Sequence, residues 1–187
     1  MIAQIAGASP RLKAKVAGVA YLLTFVMGVV SLVARGRLGV AANLVSTACY
    51  VAVVVLLYDI FKPVNRILSL LAAIVGLVGC TVGALSLFSL APFGVHVHPL
   101  VFFGFYCLLI GYLIVVSTFL PRTLGALMAF AGLGWLTFLS PPFASSLQPY
   151  NMAPGMLGEA ALMLWLIVRG VNIQRWQAQT AAAANGP

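Results

Sequence analysis

The run "LVFFGFYCLLIGYLIVVSTFL", residues 100–120, contains 21 residues and no charged side chain. At about 1.5 Å of rise per residue it makes a helix of roughly 30 Å, the thickness of a bilayer's hydrocarbon core. Its apolar residues do not alternate with polar ones, so it does not read as a barrel strand. The rest of the chain repeats the pattern. Five more apolar runs span about 16–34, 38–61, 67–91, 123–140 and 154–171. Hydrophobic residues make up 63% and charged residues 6%, with a mean hydropathy of +1.13. A soluble domain carries about 25% charged residues, so this composition excludes a soluble fold. The expected class is all-α: an integral membrane bundle of six transmembrane helices.

The charge pattern reads as topology. Ten Lys and Arg stand against two acids, for a net charge of +8. The basic residues lie at the ends of apolar runs and form no stripe, which argues against a nucleic-acid partner. With the N-terminus in the cytoplasm, Arg11, Lys13, Lys15, Lys62, Arg66, Arg122, Arg169 and Arg175 fall inside, and Arg35 and Arg37 fall outside. That is the positive-inside pattern, with both termini cytoplasmic. It divides the chain into a basic N-terminal segment (1–15), a transmembrane domain (16–171) and a cytoplasmic tail (172–187) expected to be disordered. The first run is too long for a signal-peptide core and lacks a cleavage site after it, so it reads as a retained helix. The expected location is a bacterial inner membrane. Trp176 and Arg175 read as an interfacial anchor. Loops 92–99 and 141–153 carry no Lys or Arg and are expected to face outward.

Several patterns have ordinary readings. Cys49, Cys80 and Cys107 lie within apolar runs, where a cysteine is a small buried hydrophobe. Small residues recur at Ser69, Ala72, Gly76, Gly79, Gly83 and Ser86, and again at Gly125, Ala129 and Gly132, as helix contacts in lipid require. "RILSLLAAIVGL" from Arg66 and "RTLGALMAFAGL" from Arg122 share R-x-L-x-x-L-x-A-x-x-G-L. That echo fits a parallel repeat of two-helix units, although Leu, Ala and Gly are common enough to coincide. No Walker pattern, dinucleotide fingerprint or nucleophile elbow is present.

The two acids separate. Asp59 lies near Lys62 and Arg66 in "YDIFKPVNR", which reads as a structural ion pair at the boundary. Glu159 lies in "APGMLGEAALMLWL" with no basic neighbour. An ionisable group at that depth faces the bundle interior or water and marks a functional site. Candidate partners are Arg35, Arg37, His96, His98 and Asn43. Asn43, Thr47, Tyr106 and Trp135 share its half of the membrane and are the expected lining of a pocket. Asn43, Thr47 and Tyr50 fall on one helical face. The alternative is a carboxyl group that ties helices together.

"VHVH" allows a second reading. His96 and His98 point the same way in an extended segment, and with Glu159 they would form a His₂Glu zinc site with an open position. That would make the protein a metal-dependent membrane hydrolase, but no H-E-x-x-H motif accompanies it, and the ordinary reading is two surface imidazoles. Zinc is thus an alternative, and no other cofactor is expected. A third reading is a non-catalytic assembly subunit. The leading expectation is binding or movement of a small molecule or lipid at an outward-facing pocket around Glu159, with self-association left open.

Taken in order, F-F-G-x-x-x-L-x-x-G-Y-L, F-L-P-R-x-L-G and G-E-x-x-L-x-L-W-L give the chain a family likeness. With "SPRLKAKVAGVAYLLTFVMG" and "LLYDIFKPVNRILSLLAAIVGLVG", it resembles the multi-pass membrane proteins of domain-of-unknown-function family 4386 over residues 9–176. The resemblance implies an all-helical membrane protein and no particular activity. Glu159 and Arg122 lie inside the matching phrases. The family pattern also has a longer segment between the first two helices, where this chain has only "RGRLGV". That difference implies a more open outer site here, or its loss.

Overall fold

The computed structural model describes residues 9–88 and 98–184, and within them there are helices and no strands. The first five helices are α1 (Pro10–Val33), α2 (Arg37–Phe61), α3 (Arg66–Ser86), α4 (Pro99–Val116) and α5 (Arg122–Leu136). A 3₁₀ turn (Thr137–Leu139) and the short α6 (Pro141–Leu147) follow, then α7 (Met152–Val168) and α8 (Ile173–Ala184). Each long helix packs on its neighbour in the chain, and α7 closes on both α5 and α1. The result is a ring of six helices around one core.

Local chemistry sets the helix starts. Ser9 caps α1, its Oγ accepting the Leu12 N–H at 3.3 Å, and Pro10 takes the first position, where no N–H is needed. Asn65 caps α3 by accepting the Leu68 N–H at 2.9 Å. His98 does the same for α4 through Nδ1, which accepts the Leu100 N–H at 3.3 Å, again with a proline at the first helical position. The echoed Arg66 and Arg122 are each the first residue of a helix, α3 and α5.

Among the described residues, five helical segments are long and apolar enough to cross a membrane. The 17-residue α7 meets that measure only with α6, from which it is bent by 79°. The chain is therefore a membrane protein whose described residues hold five such spans, or six if the bent pair counts as one.

The small-residue stripe of α5 faces glycines on α4. A Cβ on Gly125 would stand 2.6 Å from the Gly111 carbonyl oxygen, and one on Gly132 would stand 2.8 Å from that of Gly104. Real Cβ atoms do not approach so closely, so glycine at these positions lets the two backbones touch. Van der Waals contact of this kind replaces the hydrophobic effect as the packing force in lipid.

The tail differs from its expectation of disorder, since residues 173–184 form α8. The Asn172 side chain accepts the Arg175 N–H at 3.1 Å and so starts the helix. Trp176 Nε1 then donates to the Ile60 carbonyl at 2.9 Å. Gln179 Oε1 accepts both the N–H and the hydroxyl of Thr118, each at 3.1 Å. A polar, alanine-rich segment that looks unstructured by composition is held by its own Trp176 and Gln179, which reach the end of α2 and the α4–α5 turn.

Candidate functional site

Glu159 lies two turns into α7 and is 7% exposed. Its Oε1 accepts the Trp135 indole N–H at 2.7 Å, and its Oε2 accepts the Tyr21 hydroxyl at 2.9 Å. The Cys107 thiol makes a longer contact to Oε1 at 3.6 Å. Tyr21 comes from α1, Cys107 from α4 and Trp135 from α5, so one carboxyl group joins four helices. Among the described residues no cation pairs with it. Its partners are neutral donors, which stabilise a carboxylate through charge-assisted hydrogen bonds.

An aromatic shell surrounds these bonds. The Tyr50 hydroxyl lies 3.5 Å from that of Tyr21. The Tyr21 proton is directed at Glu159, so Tyr50 is the donor between the two phenols. Tyr50 also meets Tyr21, Phe103 and Tyr106 edge-on, with ring centroids 5.5, 4.8 and 6.0 Å apart. The Tyr106 hydroxyl is fully buried and has no hydrogen-bond partner among the described residues.

Two glycines on α7 make room for this arrangement. A Cβ on Gly155 would lie 2.2 Å from the Trp135 ring, and one on Gly158 would lie 2.3 Å from the Leu127 carbonyl oxygen. The indole therefore packs directly on Gly155 and reaches Glu159 one turn further on.

Beside the carboxyl group is a pocket of about 190 Å³, lined by Thr24, Ser46, Thr47, Tyr50, Cys80, Leu100, Phe103, Trp135 and Glu159. Of the residues expected from sequence, Thr47, Trp135 and Glu159 line it. Asn43 does not; its Oδ1 accepts the Thr47 hydroxyl at 3.5 Å one turn away. Tyr106 lies behind Tyr50. Arg35 and Arg37 are exposed at the α1–α2 turn and form no ion pair with Glu159. Sequence reasoning missed Tyr21, Cys107, Thr24, Ser46, Cys80 and Phe103. Matching depths across helices was the signal that could have found Tyr21, the one hydroxyl-bearing aromatic on α1.

His98 stacks on Phe138 at a centroid distance of 4.5 Å, and Phe138 lies 6.5 Å from Trp135. Burial lowers its pKa from the ordinary 6.5, and its role as an acceptor at the start of α4 requires an unprotonated Nδ1. His96 lies outside the described residues. Among those described, no group of three His, Cys, Asp or Glu side chains is placed to hold a metal.

At the opposite end of the bundle, Asp59 forms ion pairs with both Lys62 and Lys13. The expected triad of Asp59, Lys62 and Arg66 is corrected in one member. Arg66 is exposed at the start of α3, while Lys13, 46 residues upstream of Asp59, reaches across from α1. A second, wider pocket of about 670 Å³ lies at this end, between the α4–α5 turn and α8.

The ring of apolar helices and the carboxyl group at its centre define a class: a small helical membrane protein with a polar core. Residues 91–170 match the family model described as "Domain of unknown function (DUF4386)". The match bears out the family resemblance over α4 to α7, the half that supplies Cys107, Trp135 and Glu159. An uncharacterized protein of Archaeoglobus fulgidus is 28% identical over 127 residues, which cover 64% of this chain and 76% of the relative. No solved structure matches the chain.

Proposed function

We propose that this protein binds, or moves, a small molecule at the pocket beside Glu159, and that the carboxyl group meets a cationic part of that ligand. The observation that carries this reading is a carboxyl group on the wall of an aromatic-lined pocket with no cation paired to it among the described residues. Tyr50, Phe103 and Trp135 supply ring faces and edges, and Thr24, Ser46 and Thr47 supply hydroxyl groups. Rings and a carboxylate together favour an organic ammonium group through cation–π attraction and charge. Its volume of about 190 Å³ leaves room for a methylated ammonium group. The basic residues support a six-crossing arrangement with both termini inside, in which this pocket opens outward. The inner membrane of a bacterium as its location rests on the family resemblance.

A second reading has its own support. Both oxygens of Glu159 already accept hydrogen bonds from other helices, as a purely structural tie would. Thermal melting in mild detergent separates the two. Tetramethylammonium, choline and ethanolamine should each raise the melting temperature of the wild type, and an uncharged isostere such as 3,3-dimethylbutanol should not. A ligand at about 100 times its Kd contributes about 2.7 kcal/mol of stability. Glu159→Gln should abolish the shift. Equal responses to charged and uncharged probes, or an undiminished shift in the variant, would leave Glu159 as a tie alone.

A further inference from the structure

The wider pocket lies at the turn between α4 and α5, and α8 forms its far wall. Val116, Ser117, Thr118, Leu120, Pro121 and Arg122 line one side, and Arg175 and Ala178 line the other. We propose that this pocket holds a phosphate anion, supplied by the headgroup of an acidic phospholipid, clamped between Arg122 and Arg175.

The pocket is positioned by specific contacts. Arg175 Nη1 donates to the Thr118 carbonyl oxygen at 3.3 Å. That bond fixes the guanidinium at the pocket and leaves most of its five donors available. The hydrogen bonds from Thr118 to Gln179 hold α8 against the turn. Arg122 is the first residue of α5, and Pro121 before it has no side chain that could cap the helix. The first N–H groups of α5 therefore add donors, and the positive end of its dipole, on the same side as Arg122.

Charge accounting favours an external anion. The chain has two acids. Asp59 is engaged by Lys13 and Lys62, and Glu159 is buried among neutral donors. Among the described residues, Arg122 and Arg175 have no carboxylate partner. Two arginines on the wall of one pocket leave its positive charge uncompensated unless an anion binds there, and planar bidentate donors suit phosphate oxygens. Val116, Leu120 and Ala178 give the same pocket an apolar side where a glycerol backbone and the start of an acyl chain fit. A volume of about 670 Å³ is ample for a glycerophosphate group. Basic pockets at helix ends take lipid headgroups by this chemistry.

The test is native mass spectrometry on the full chain, delipidated in mild detergent and titrated separately with phosphatidylglycerol, phosphatidylcholine and inorganic phosphate. Phosphatidylglycerol should bind more tightly than phosphatidylcholine. Each of R122Q and R175Q should weaken it about fivefold, the usual effect of one basic residue near an anionic lipid. R35Q, at the other end of the bundle, should leave binding unchanged. Arg122 makes no hydrogen bond that holds the fold among those observed, so R122Q remains a clean test if R175Q loosens α8. Inorganic phosphate that binds with the same arginine dependence, while phosphatidylglycerol does not, would keep the anion site and assign it a soluble ligand. Equal binding of the two lipids without bound phosphate, or phosphatidylglycerol binding indifferent to R122Q, would overturn the proposal.

Discussion

Asp59 and Glu159 are the only two acids in the chain, and the structure places them in opposite surroundings. Asp59 is at the end of α2, its side chain 23% exposed, with two lysines. Glu159 is in the core, 7% exposed, with an indole, a phenol and a thiol. At the boundary, water and salt screen the charges, so an ion pair costs little and contributes little. In the core a cation would itself need desolvation, and neutral donors satisfy the carboxyl group without adding a second buried charge. The contrast teaches that an acid in an apolar run need not have a basic partner; it needs donors at its own depth.

The strongest test of this contrast is Glu159→Leu. The change removes one acceptor group and leaves the Trp135 N–H and the Tyr21 hydroxyl facing an apolar side chain. Each buried donor left unsatisfied costs about 1–3 kcal/mol, so the expected loss is about 2–6 kcal/mol. Denaturation in mild detergent measures it. A loss below about 1 kcal/mol would mean that the carboxyl group contributes no more than a boundary acid does.

Gly155→Ala examines the same bonds from behind. The new methyl group would overlap the Trp135 ring, where a Cβ has only 2.2 Å. Overpacking of this kind costs about 1–3 kcal/mol, and the displaced indole should lose its bond to Glu159. The expected readouts are a lower melting temperature and a shifted tryptophan emission. Unchanged emission would mean that the ring has another place to go and that the glycine does not set its position.

The two acids also mark how far the sequence could be read. Membrane class and helix order were legible, because long apolar runs act locally, while the caps Ser9 and Asn65 were not read and α1 starts at Pro10, ahead of the expected run. Glu159 stood out as the acid without a cation nearby in sequence. Its partners were not legible, because Tyr21 is 138 residues away and a tyrosine in an apolar run resembles any other core aromatic. Lys13 was hidden as a partner of Asp59 for the same reason, while Lys62 stood one turn away and was visible. The helical tail escaped detection because the groups that hold it, Ile60 at the end of α2 and Thr118 in the α4–α5 turn, lie far away in the chain. Periodicity reports each helix alone, and the site belongs to the contacts between helices.

Asp59→Asn carries the smallest expected effect and defines the lower end of the contrast. Asn keeps the shape and one oxygen, so Lys13 and Lys62 retain a neutral acceptor. The loss is the charge attraction alone, at a partly exposed site, about 0–1 kcal/mol. Any such loss should shrink further as salt is raised, because the Debye length falls to about 3 Å at 1 M. Glu159→Leu should show no comparable salt dependence, since the bonds it breaks run to neutral donors in the core and not to a screened ion pair. Melting both variants at low and high salt therefore gives two slopes. A steep slope for Glu159→Leu, or a flat and large loss for Asp59→Asn, would exchange the roles assigned to the two acids.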